Sequence, residues 1–198
     1  MAPESSLTAR ACVLAGGAGS RLGRPKATAL LAGRPLISYP LAALEAAGLR
    51  PVVVAKPDTE LPPLDREPWL EAAGPRHPLV GILEALDRAG GPVLACACDM
   101  PFVTAELAGW LASLRAPLVV PRAGGRAHPL LARYAPDLTD SLAAALAGER
   151  PLAVAIEAIG PRYVGEHELR RFGDPERLLA NVNTPDDLAR AERLLAAG

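Results

Sequence analysis

Leu14-Ala-Gly-Gly-Ala-Gly-Ser-Arg-Leu-Gly-Arg-Pro-Lys26 follows directly on a short apolar run, Ala11-Cys12-Val13. A strand that opens into four glycines, two arginines and a lysine has the makings of a phosphate holder. Glycine lets backbone N–H groups approach an anion where a side chain would stand in the way. Arg21, Arg24 and Lys26 bring compensating positive charge. It is not a Walker loop, because no glycine in it is followed by lysine. Nor is it the dinucleotide fingerprint: counted from Gly17, the third glycine position falls on Leu22. A plain surface turn is the competing reading; the place after the first strand and the three cations favour phosphate.

Cys98-Asp99-Met100-Pro101 follows the most apolar run, Val93-Leu94-Ala95-Cys96-Ala97. A lone carboxylate facing a triphosphate suits Mg2+, which takes one or two carboxylates and completes its shell with phosphate and water. Asp99 as a helix cap is the rival explanation, weakened because Thr104 can cap the next helix itself. Asn181-Val-Asn-Thr-Pro-Asp-Asp-Leu contains a helix start, with Thr184 as N-cap and Pro185 at the first helical position. Asn181 and Asn183 alternate around Val182 and point to one side, where two amides can meet a second ligand; turn chemistry is the alternative. His128, in the glycine-and-cation loop Arg122-Ala-Gly-Gly-Arg-Ala-His-Pro, and Arg150 are further candidates for gripping an anionic acceptor, against a reading as solvated loop charge. His77 stands before Pro78-Leu-Val-Gly81, a helix entrance where a glycine lets a base or phosphate come close. His167 lies among charged neighbours and reads as surface. Cys12, Cys96 and Cys98 read as small core residues of a reducing compartment; a Cys96–Cys98 redox pair is the lesser alternative.

The elements that must position these residues alternate. Strands are expected at Arg10–Leu14, Pro51–Ala55, Pro92–Ala97 and Leu118–Pro121. Helices are expected at Leu36–Ala47, Leu79–Ala89, Thr104–Leu114, Leu138–Ala147 and Pro185–Ala196. Gly48 and Gly90-Gly91 stand where glycine ends a helix. Such repetition predicts an α/β fold, a Rossmann-like three-layer sandwich with a mostly parallel sheet and helices on both faces. Ligands then bind beyond the carboxyl ends of the strands, which puts the loops after Leu14, Ala55 and Ala97 on one rim. Residues 56–78 read as a long rim loop holding at most one short strand. Beyond Arg122 the alternation weakens, and one or two antiparallel strands are expected. The whole of 1–198 is expected to be one domain, with a nucleotide-binding half over about 8–121 and an acceptor half over about 122–198.

Composition excludes several classes. With 198 residues, 50% hydrophobic and 22% charged, the chain reads as globular and not disordered. A net charge of −1 argues against nonspecific nucleic-acid binding. The first residues lack the basic start and apolar stretch of a signal peptide, and no run reaches membrane-spanning length, so neither membrane nor export is expected and the cytoplasm is.

Taken together these segments resemble the molybdenum cofactor guanylyltransferases, nearly end to end. The motifs that carry the likeness are Leu14-Ala-Gly-Gly, Arg21-Leu-Gly, Lys26, Gly33-Arg-Pro-Leu-Ile, Pro78-Leu-Val-Gly, Cys98-Asp-Met-Pro, His128-Pro and Asn181-Val-Asn-Thr-Pro. The resemblance implies the nucleotide-diphospho-sugar transferase fold and transfer of GMP from GTP to the terminal phosphate of molybdopterin, with release of pyrophosphate. It implies that Leu14, Ala15, Gly16, Gly17, Lys26, Gly81 and Asp99 bind GTP, that Asp99 holds Mg2+, and that Lys26, Arg21 and Asp99 carry catalysis. Asn181, Asn183 and His128 fall to the acceptor, and transient contact with molybdoenzyme maturation proteins is implied. The chain departs from the family twice: Pro25 precedes Lys26 where Asp is frequent, and Lys56 and Glu71 do not match its asparagine after the second strand and the aspartate beyond. Gly16, where CTP users tend to carry alanine, leans toward guanine. The nearest rivals are a cytidylyltransferase for the same pterin and a guanylyltransferase for a cobamide or sugar phosphate. A silent nucleotide-binding regulator is the reading from another class.

Overall fold

The computed structural model describes residues 10–16 and 21–197. Gly17, one of the expected nucleotide contacts, lies outside the described residues. In chain order the elements are β1 (Arg10–Leu14), β2 (Leu30–Leu31), β3 (Arg34–Pro35), α1 (Ser38–Ala46), β4 (Arg50–Ala55), β5 (Trp69–Leu70), α2 (Pro78–Ala89), β6 (Val93–Ala97) and α3 (Ala105–Ser113). There follow β7 (Leu118–Ala123), β8 (Arg126–Ala127), β9 (Leu131–Tyr134), α4 (Thr139–Ala147), α5 (Leu152–Ile159), β10 (Arg162–Val164), α6 (Glu166–Leu169), α7 (Pro175–Leu178) and α8 (Pro185–Ala196).

The main sheet runs β10-β7-β9-β6-β1-β4-β5, with β8 pairing to β7. β1 lies parallel to both β4 and β6, in a register that aligns Leu14 with Val54 on one side and Ala97 on the other. β9 is antiparallel to β6 and β7, the reversal expected beyond Arg122. Every side chain of β6 is buried, as a strand covered on both faces requires. In β1 the period of two sends Ala11 and Val13 into one core and Cys12 into the other. The first core packs α1 and α3 through Leu44, Leu107 and Leu111. The second packs α2, α4 and α5 through Leu79, Ile82, Leu142 and Ile156. The molecule is therefore a three-layer α/β sandwich of the expected kind.

A third, smaller cluster joins the β2–β3 hairpin to the C-terminal segment through Leu31, Leu36, Phe102, Val182 and Ala191. The hairpin turns at Ala32 and Gly33, both with positive φ (48° and 78°). Two residues in that region form the tight turn whose twist suits a hairpin, and glycine supplies one of them without strain. Where sequence and structure differ, the difference is mainly one of omission. The β2–β3 hairpin, α5, α6, α7 and β10 lie outside the expected elements, and β5 is the one short strand inside the rim loop.

Candidate active site

Strand order locates the site. The chain leaves β1 toward β4 on one side and later returns to β6 on the other, so the loops after β1, β4 and β6 diverge from one point at the carboxyl edge. Backbone bonds hold them together: Ala15 N–H donates to the Val54 carbonyl (2.9 Å), Cys98 N–H to that of Leu14 (3.1 Å), and Ala97 N–H to that of Leu130 (2.7 Å). The cavity they enclose measures about 350 Å3 and is lined by Leu14, Gly16, Lys26, Lys56, Glu71, Arg76, His77, Pro78, Ala97, Cys98, Asp99 and Leu130. That is large enough for part of a nucleotide, at the small end of ligand sites.

One end is a four-residue polar cluster. Asp99, only 6% exposed, accepts from Lys26 Nζ through Oδ2 at 2.5 Å and from Asn181 Nδ2 through Oδ1 at 2.9 Å. Lys26 Nζ also donates to Asn183 Oδ1 at 2.6 Å. The glycine-loop lysine, the carboxylate at the end of β6 and both C-terminal asparagines thus meet at one point. Their arrangement follows from α8. Thr184 Oγ1 accepts from Asp187 N–H, and Asp187 Oδ2 accepts from the N–H groups of Thr184 and Asn183, a reciprocal cap that fixes the helix entrance. Val182 is buried and donates its N–H to the Asp99 carbonyl (2.9 Å). The asparagines that flank it share a side, and that side faces Lys26 and Asp99.

The other end holds an ion pair not singled out as functional in the sequence. Lys56 Nζ lies 2.8 Å from Glu71 Oε2, and Glu71 is 7% exposed. His77, the N-cap of α2, accepts from Leu79 N–H through Nδ1 at 3.1 Å. Gly81 sits one turn into α2, where an added Cβ would lie 2.8 Å from Glu71 Oε1 and 3.0 Å from Leu14 Cδ2. Its role here is to make room for that carboxylate. Glu71 lies 15 positions beyond Lys56, so no local spacing signal pointed to the pair; only the strand-like Trp69-Leu70 that delivers Glu71 to the rim offered a hint.

Of the remaining candidates, only Cys98 lines this cavity. Arg21 and Arg24 are exposed and do not line it; Ala15 is buried beneath it. His128 is half-buried in the turn after β8, its N–H donating to the Pro121 carbonyl (2.9 Å), and burial with help from Arg126 holds its pKa below the usual histidine value. Arg122 stacks over Tyr163 at 5.0 Å, and Arg150 and His167 are exposed. All three cysteines are free and buried. Burial first, then the charge of Asp99, pushes the Cys98 thiol to about 12, and burial alone takes Cys12 to about 12, so both remain protonated packing residues.

Asp99 also answers whether a cation fits. Among the described residues no cluster of three His, Cys, Asp or Glu side chains exists to cage an ion. A single inward carboxylate, all oxygen and no sulfur in its donors, suits a hard ion that shares its shell with a phosphate chain, as Mg2+ does.

The chain matches known proteins along most of its length. Residues 11–163 match the family model described as the MobA-like NTP transferase domain. A molybdenum cofactor guanylyltransferase of Cereibacter sphaeroides is 37% identical over 191 residues, covering 92% of this chain and 95% of that protein. The crystal structure of molybdopterin-guanine dinucleotide biosynthesis protein A from Archaeoglobus fulgidus superposes with a TM-score of 0.76 at 29% identity, covering 96% of this chain and all of the other. A 2-C-methyl-D-erythritol 4-phosphate cytidylyltransferase from Thermus thermophilus shares the fold (TM-score 0.69, 22% identity, 95% and 98% covered).

Proposed function

Because the chain belongs to the MobA-like NTP transferase family, we propose that it transfers GMP from GTP to the terminal phosphate of molybdopterin, forming the guanine dinucleotide cofactor and releasing pyrophosphate. It is a nucleotidyltransferase, and the observation that supports this chemistry most directly is Lys26 Nζ at 2.5 Å from Asp99, cation and carboxylate at the mouth of a glycine loop.

The attacking group is a phosphate monoester with a second pKa near 6, mostly dianionic at neutral pH. It needs no base to deprotonate it, and among the described residues of the cavity lining His77 pairs through Nδ1 with Leu79 N–H and with no carboxylate. The protein's task is to align two anions that repel each other and to neutralise the charge that builds up between them. Lys26 does the second, Asn183 aims it, and Gly16 lets the chain of phosphates approach the backbone. Arg21, exposed on the same loop, adds field at the entrance. Asp99, oriented by Asn181, would hold Mg2+, and the ion when bound would supply Lewis-acid neutralisation of phosphate oxygens. Residues before about 122 serve the nucleotide and those after it the acceptor, with the amides of Asn181 and Asn183 at the boundary and His128 on the acceptor side. No helix among the described residues is long and apolar enough to cross a membrane, and three reduced cysteines suit the cytoplasm.

The test is pyrophosphate release with GTP or CTP, with and without molybdopterin. GTP with molybdopterin is expected to turn over, and Lys26→Ala to lower the rate by about ten- to a hundred-fold, as loss of one charge-assisted contact of roughly 1.5–3 kcal/mol requires. Turnover with CTP in place of GTP assigns the chain to a cytidylyl transfer, and near-normal turnover by Lys26→Ala removes that residue from the chemistry.

A further inference from the structure

At the cavity end away from Asp99, the Lys56–Glu71 pair has no task in the transfer step. Glu71 is held at two points: its N–H donates to the Ala55 carbonyl (2.8 Å) and its Oε2 accepts from Lys56 Nζ (2.8 Å). Lys56 Nζ is itself steadied by the Pro75 carbonyl at 3.3 Å. The second oxygen, Oε1, lies against two glycines of separate elements, so close that a Cβ at Gly16 would stand 3.3 Å away and one at Gly81 2.8 Å away. The side chains of the pair are 11% and 6% exposed, and both line the cavity.

A carboxylate tied at one oxygen and slotted between glycines at the other is a stiff edge that only accepts hydrogen bonds. Guanine is the common base that offers such an edge two adjacent donors, N1–H and an N2–H. Cytosine offers one donor at N4 and turns the lone pair of N3 toward the carboxylate. We infer that Lys56 is a positioning residue for base choice: its grip on Oε2 sets the plane of the Glu71 carboxylate and so favours guanine over cytosine. Without Lys56 the carboxylate loses the contact that fixes Oε2, and the edge discriminates less. This rests on the cavity being the nucleotide site proposed above.

Competition of GTP and CTP against a fluorescent GTP analogue tests it, in the presence of Mg2+ and alongside steady-state kinetics. The wild type is expected to favour GTP. Lys56→Met is expected to lose about tenfold or more of that preference, through a raised KM for GTP with kcat within roughly twofold, since the Lys26–Asp99 end is untouched. Lys56→Arg, which keeps a charged donor to Glu71, is expected to restore most of it. If Lys56→Met fails to fold by circular dichroism, Lys56→Gln, with a neutral donor of similar reach, is expected to lie between wild type and loss. A GTP-to-CTP ratio unchanged in a folded Met or Gln variant overturns the inference and leaves the pair as mere scaffold. A wild type that binds neither nucleotide sinks the underlying reading of the cavity instead, and the inference with it.

Discussion

Gly81 shows how little slack the site has at the scale of one atom. Alanine in a helix interior is ordinarily worth about 1 kcal/mol over glycine. Here the new methyl would meet Glu71 Oε1 at 2.8 Å and Leu14 Cδ2 at 3.0 Å, with Val54 Cγ1 at 3.5 Å. A carboxylate is normally the pliable end of its side chain, but Lys56 restrains this one, and Leu14 packs against the second core. Overpacking of that kind costs about 1–3 kcal/mol and outweighs the propensity gain. Gly81→Ala is therefore expected to lower stability in urea denaturation and to raise the KM for GTP more than it lowers kcat. A variant as stable as the wild type would mean that Glu71 moves aside at little cost.

Among the elements, α8 is a helix whose start has consequences beyond itself. Asp187 is partly desolvated, which raises its pKa, but the N–H groups of Asn183 and Thr184 and the Thr184 hydroxyl outweigh this and hold it below the ordinary 3.8. A carboxylate with a lowered folded pKa stabilises the protein at neutral pH, and the contribution fades as pH falls through the range below 3.8. Asp187→Ala is expected to cost about 1 kcal/mol at pH 7, the usual worth of a cap, with the gap to wild type closing in acid. Activity is expected to fall further than that figure suggests, because Asn183, whose backbone the cap holds, contacts Lys26. Thr184 and Pro185 at this start were legible in the sequence, as were β1, β4 and β6, because caps and buried apolar runs are local signals. α5 was not: Leu-Ala-Val-Ala-Ile-Glu-Ala-Ile has apolar residues all round, with no stripe to mark a helical period. The site divided in the same way. Lys26 and Asp99 could be read from their motifs, but their meeting spans 73 positions, and that of Lys26 with Asn183 spans 157; contacts that long are set by strand order and helix packing, which spacing does not encode.

For the molecule as a whole, the site lies where three loops leave the sheet, between cores packed on its two faces. Filling it ties those loops together, so binding raises global stability. At about a hundred times Kd a ligand adds about 2.7 kcal/mol, which for a chain of this size corresponds to about 5–10 °C in Tm. GTP with Mg2+ is expected to produce such a shift in a thermal melt, CTP a smaller one, and Asp99→Asn is expected to abolish the contribution of the metal. Equal shifts from the two nucleotides would deny the cavity any base preference.

The bond from Val182 N–H to the Asp99 carbonyl and the two amides beside it also bear on when the protein becomes competent. The parallel strands and the glycine loop come before the two amides that hold the lysine and the carboxylate in place. A nascent chain can build most of its sheet and still lack a finished centre. A chain cut before Asn181 is expected to lose both amide contacts of the Lys26–Asp99 cluster, and its activity with them.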